Sequence, residues 1–149
     1  MPSRRQQILD VLRTRLSAIT LAGGFQTDAG TQIFINELPI LGPDDPSAAI
    51  VILSGNEVPL YQGEQVSLEL PLEIQAHANE ALDNPWLTVE AIISDIKTAV
   101  ELDDRTLGGL VRQPIRRGPV QSFPREAGMT TVGATVTYLA LVVEPWGAP

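Results

Sequence analysis

The chain contains no cysteine, so neither a disulfide framework nor a zinc–thiolate site can hold it, and its fold must rest on packing alone. Histidine occurs once, as His77, which leaves little material for the nucleophile and base that a hydrolase pairs. Lys and Arg are missing altogether between Leu16 and Ile96. No segment approaches the roughly 20 apolar residues that a membrane-spanning helix needs. The arginines of the opening MPSRRQQILDVLRTRL are followed by no uninterrupted apolar run, so it does not read as a secretory signal. These absences predict a protein made and kept in the aqueous phase, with no membrane partner.

What is present suits a core without staples. With 149 residues, of which 44% are hydrophobic, the expectation is a single domain spanning 1–149. The net charge of −8 argues against a surface built to hold nucleic acid, because phosphate binding relies on clustered Lys and Arg. That charge is unevenly laid out. The stretch free of basic residues carries Asp28, Glu37, Asp44, Asp45, Glu57, Glu64, Glu69, Glu73, Glu80, Asp83, Glu90 and Asp95. Arg4, Arg5, Arg13 and Arg15 precede it, and Lys97, Arg105, Arg112, Arg116, Arg117 and Arg125 follow it. Segregation of this kind suits head-to-tail contact between identical copies, and a solvated surface whose charges mix on folding accounts for it equally well.

Ser3 and Gln6 match a capping box, and Ile8, Leu9, Leu12, Leu16 and Ile19 recur at helical spacing up to a Gly23-Gly24 stop. Arg4 and Arg5 stand in the first turn, where the helix dipole disfavours cations, which points to an outside partner for them. Thr31 to Ile35 and Ala49 to Leu53 read as short strands, parted by a loop with Pro39, Gly42, Pro43 and Pro46. From Val66 to Ala78 apolar and polar residues alternate, which predicts a long strand with one buried and one wet face. Pro71 removes a ladder donor there and predicts an edge or a bulge. Asn84 with Pro85 starts a second helix whose stripe is Trp86, Val89, Ile92, Ile93, Ile96, Ala99 and Val100, ended by Asp103 and Asp104. The stretch from Arg105 to Thr130, rich in Gly, Pro and Arg, reads as part strand and part exposed loop. Within it, Arg105 to Arg125 is expected to be poorly ordered until a neighbour binds. Thr131 to Val143 reads as a closing strand, with the last residues trailing off. The order of elements predicts an α+β fold, a mostly antiparallel or mixed sheet with two helices packed on one face.

No catalytic, cofactor or metal site is legible. His77 falls on the wet face of the long strand and reads as a surface residue rather than a general base. Asp44 and Asp45 beside proline read as turn formers rather than a metal pair. Gly23-Gly24, Gly108-Gly109 and Gly118 lack the spacing of a P-loop or a dinucleotide fingerprint.

Five features together carry a family likeness. They are the short Arg-containing N-terminal helix, the strand Leu70-Pro71-Leu72-Glu73-Ile74-Gln75-Ala76, and the helix from Val89 to Lys97. The step Asp104-Arg105-Thr106-Leu107-Gly108-Gly109-Leu110-Val111 follows, and then a closing strand ending near Val143-Glu144. In this pattern, over nearly the whole chain, the sequence resembles the tail terminator (tail completion) proteins of long-tailed bacteriophages. Members form hexameric rings that cap the tail tube, stop its polymerisation and offer a docking surface to the filled head. The resemblance implies a structural virion protein at the head-proximal end of the tail, made in the host cytoplasm and not an enzyme. Its implied partners are further copies of itself, the major tail tube protein and a head-completion or neck protein, with DNA passing through unbound. Arg105, Arg112, Arg116 and Arg117 are then candidates for contact with a neighbouring subunit or partner. Glu69 and Glu73, on the wet face of the long strand, are candidates to line a lumen that repels phosphate, although plain solvent exposure explains them equally. A head–tail neck or minor tail protein of similar layout is the alternative. A small cytoplasmic ligand-binding protein or enzyme is a further one.

Overall fold

A computed structural model describes residues 2–39, 41, 44–79, 81–123 and 130–147. Glu80, Arg125 and the loop residues Gly42 and Pro43 lie outside that set. Helix α1 (Arg4–Ser17) starts where the Ser3 hydroxyl accepts the Gln6 N–H, and it buries Ile8, Leu9, Leu12 and Leu16. It ends before the expected Gly-Gly stop. At Ala18 the backbone N–H bonds to Arg15 and Leu16 carbonyls, tightening the last turn, while Ile19 stays fully buried beyond the helix. A 3₁₀ turn (Ala29–Thr31) then packs on the end of α1, so closely that a Cβ on Gly30 would lie 2.4 Å from the Leu16 carbonyl oxygen.

The strands are β1 (Ile33–Ile35), β2 (Ala48–Ser54), β3 (Val58–Gln62), β4 (Gln65–Asn79), β5 (Arg116–Phe123) and β6 (Thr131–Pro145), with α2 (Pro85–Glu101) between β4 and β5. They form one six-stranded sheet in the order β1-β2-β4-β6-β5, with β3 pairing to β4 as well. Among the described residues, only β1 and β2 run parallel; the other pairs are antiparallel. The fold is α+β, with a mixed, mostly antiparallel sheet.

Strand period explains which face the helices cover. Leu68, Leu70, Leu72, Ile74, Ala76 and Ala78 of β4 point to one side, level with Val142, Ala140, Tyr138, Val136, Ala134 and Val132 of β6. All are buried, together with Ile50 and Ile52 of β2 and the stripe Val89, Ile92, Ile93, Ile96 and Val100 of α2. Asp95 is buried in the same helix and is held there by the Gln26 and Thr27 N–H groups and the Thr27 hydroxyl, at 2.8 to 3.2 Å. This carboxylate ties α2 to the loop after α1.

Four expectations need correction. Pro71 is neither at an edge nor in a bulge: β4 is central, with β6 on one side and β2 and β3 on the other. Its carbonyl accepts from Gly55 at 2.9 Å, so its missing N–H points the same way, into the gap where β2 ends and β3 begins, and no ladder bond is lost. Trp86 is 39% exposed and stands outside the core stripe, one turn before α2 settles onto the sheet. Asn84 precedes α2 without a side-chain capping bond, because its backbone has not taken the extended shape that capping uses. The chain end does not simply trail off, since the Trp146 indole N–H donates to the Gly63 carbonyl at 2.8 Å.

Candidate assembly surface

The face of the sheet away from the helices changes character along β4. At one end, around Ser67 and Glu69, it is solvent-facing. At the other it is closed: His77, Asn79 and Thr131 are buried. His77 is thus not a surface residue. Its two ring nitrogens bond to the Thr131 hydroxyl at 2.9 Å and the Gln75 side-chain oxygen Oε1 at 2.8 Å, with the Phe123 ring 5.5 Å away. Burial pushes its pKa down to about 4, so it sits there uncharged.

The expected lumen candidates both lie on this uncovered face. Glu73 is exposed, level with Leu53 and Thr137. Glu69, level with Val58 and Leu141, meets Arg116 of β5 at 3.5 Å. One presumed lining residue and one presumed contact residue therefore pair within a single chain. Arg116 is 73% exposed, so this pair leaves most of its guanidinium surface available.

The other arginines gather along the β5 flank. Arg105 is placed by the Asp104-to-Gly109 step. The Asp104 carboxylate accepts the N–H groups of Thr106 and Gly108 and the Thr106 hydroxyl, which lowers its pKa. Leu107, Gly108 and Gly109 follow with φ of 54°, 70° and 83°, a left-handed run in which the two glycines spare the strain that a Cβ would add. Leu107 plugs fully into the core and fixes the loop, and the Arg105 carbonyl takes the Ile115 N–H. Arg112 donates its N–H to Leu141 of β6 and lines a cavity of about 600 Å³ with Tyr61, Glu64 and Ser67. This hydrogen-bonded course from Arg105 to β5 differs from the disordered segment expected; Arg125 itself is outside the described residues.

Arg105, Arg116 and Arg117 line a second cavity, of about 450 Å³, together with Glu101 and Tyr138. Tyr138 is fully buried below its hydroxyl, which donates to Glu101 at 2.7 Å, and Arg117 lies 3.6 Å from the same carboxylate oxygen. Burial, and then the hydrogen bond to Glu101 and its charge, raise the Tyr138 pKa, so its proton stays in place. Arg117 faces Glu101 here and Arg105 shares the lining, whereas the Arg116 guanidinium turns to Glu69 on the opposite face of the sheet. Neither Glu101 nor Tyr138 is singled out by the sequence, because they lie 37 residues apart and only the sheet brings them together.

Two of the α1 arginines, Arg5 and Arg15, work internally. Arg5 donates to the Ser54 hydroxyl at 2.9 Å and the Gly55 carbonyl at 3.0 Å and pairs with Glu57 at 3.6 Å, so no outside partner is needed to explain it. Arg15 donates to the Val100 carbonyl near the C-terminus of α2, where a cation is favoured. Among the described residues, no group of three or more His, Cys, Asp or Glu side chains is arranged to hold a metal ion. No protein-family model matches the chain, and a search of curated proteins finds no match.

Proposed function

We propose that this chain is a tail-terminator-like ring subunit, which caps a phage tail tube, stops its growth and joins the tail to the head. The observation that carries the reading is the charge on the two edges of the sheet. Exposed Glu37 and Asp44 follow the edge strand β1, and exposed Asp28, which accepts the Leu21 N–H, precedes it, all within the stretch that has no basic residue. The β5 edge is flanked by Arg105, Arg112, Arg116 and Arg117. Of the acids near that second edge, Glu101 is occupied by Arg117 and Tyr138, and Asp104 by its own turn. Opposite charges on opposite edges favour a heterologous contact, and such contacts close into rings when the rotation allows. Glu69 and Glu73 on the uncovered face support an acidic lining past which DNA slides.

The test is to add the purified chain to growing tail tubes and to measure its own mass in parallel. The expected result is a closed ring of identical copies, hexameric by the family likeness, seated on tube ends that stop lengthening. Tubes that keep growing with bare ends would sink the reading.

A further inference from the structure

The register of the sheet says more about how two copies meet. Arg117 pairs with Tyr138, Tyr138 with Leu72, and Leu72 with Ser54, so one straight row crosses from β5 through β6 and β4 to β2. Beyond Ser54 the row ends at Asn36, whose side-chain oxygen accepts the Ser54 N–H at 3.1 Å. Asn36 follows the last residue of β1 with φ of 56°, a left-handed bend that Asn tolerates, and the next residue, Glu37, is exposed. Glu37 therefore stands at one edge of the sheet at the same level as the Arg105, Arg116 and Arg117 cavity at the other.

We infer that Glu37 of one copy enters the arginine-lined cavity of the next. The inference rests on the ring reading and names the contact that would make it. The chemistry fits a carboxylate. Arg105 has no ion pair or hydrogen bond from its side chain among the described residues, so its planar guanidinium is available for the two oxygens. Glu101 already satisfies Arg117 and Tyr138, which leaves the incoming carboxylate to neutralise excess positive charge rather than to compete for it. The cavity, at about 450 Å³, has ample room for a glutamate side chain.

The chain's lack of cysteine makes the test clean. Glu37→Cys and Arg105→Cys are introduced together and oxidised under conditions in which the wild type assembles. Within one copy the two edges lie four strand spacings apart, about 19 Å, far beyond the ~7 Å that a disulfide can bridge between Cα atoms. A covalent ladder beyond dimers, given by the double variant and by neither single one, is the expected result. Monomers, or only the dimers that single variants give, overturn the contact. A second arm reverses charge: Glu37→Arg or Arg105→Glu should each weaken association about tenfold or more, and the two together should restore it. No weakening, or no restoration in the combined variant with its circular dichroism unchanged, also counts against it. Wild-type rings that persist while both arms fail leave the ring reading standing and remove this contact alone. A wild-type chain that never makes rings removes both.

Discussion

Strand β4 has two faces that differ by more than polarity. On the helix side six successive inward positions, from Leu68 to Ala78, are buried in one continuous core. On the other side burial is graded: Glu69 reaches solvent and an arginine, Glu73 is exposed, and His77 is enclosed. The first face is fixed by apolar area, which is non-directional and tolerates many partners. The second is fixed by particular polar bonds, which is the sort of surface that can be remade against a neighbour. The difference teaches that alternation along a strand locates the core, whereas what lies on the other side depends on distant segments.

The largest effect should come from the helix side. Ile74→Ala, at a fully buried position, is expected to destabilise the fold by about 2–5 kcal/mol, read by chemical denaturation. A cost under 1 kcal/mol would mean that this face is not the tightly packed one. Next comes the enclosed end of the other face. His77 titrates near 6.5 when unfolded and at about 4 when folded, so the folded chain binds fewer protons between those values. Stability is then full above pH 6.5 and falls as pH drops through the window, by roughly 3 kcal/mol by its lower end. His77→Gln should flatten that part of the profile, and parallel curves for the two proteins from pH 6.5 to 4.5 would contradict the burial described. The smallest effect belongs to the open end. Glu69→Gln breaks a solvent-exposed ion pair and is expected to change stability by less than ~1 kcal/mol, with the difference fading in high salt.

Much of this architecture could be read from the sequence because it is local. The Ser3 cap, the apolar stripe from Val89 to Val100 and the alternation in β4 and β6 are all written within a few residues of one another. What could not be read depends on who sits beside whom. Pro71 looks like an edge residue until β2 and β3 are seen to share one side of β4 and leave it a gap. Strand β3 leaves no alternating pattern in the sequence, because Val58-Pro59-Leu60-Tyr61 has a proline, a register shift and no buried side chain. His77 looks wet until Phe123 and Thr131 arrive from β5 and β6. The same limit applies to the candidate contact surface. Arg116 and Arg117 are neighbours in the chain, but Arg105 joins them only because its carbonyl takes the Ile115 N–H, the cavity needs Tyr138 and Glu101, and its alignment with Glu37 needs the whole sheet.

The pairing of β4 with β6 has a consequence for the order in which the molecule can be made. Its partners are at least 52 residues apart in the chain, and the whole length of both strands takes part. As synthesis proceeds, β4 and α2 leave the ribosome well before β6 exists, so the apolar row from Leu68 to Ala78 has only half of its neighbours until then. Such non-local strand pairing must meet its loop-closure entropy before any reward arrives, and folding dominated by it is slow. The nascent chain therefore has a period in which its central strand offers an unpaired edge. In that interval the choice between pairing with its own β6 and pairing with another chain is decided by local concentration.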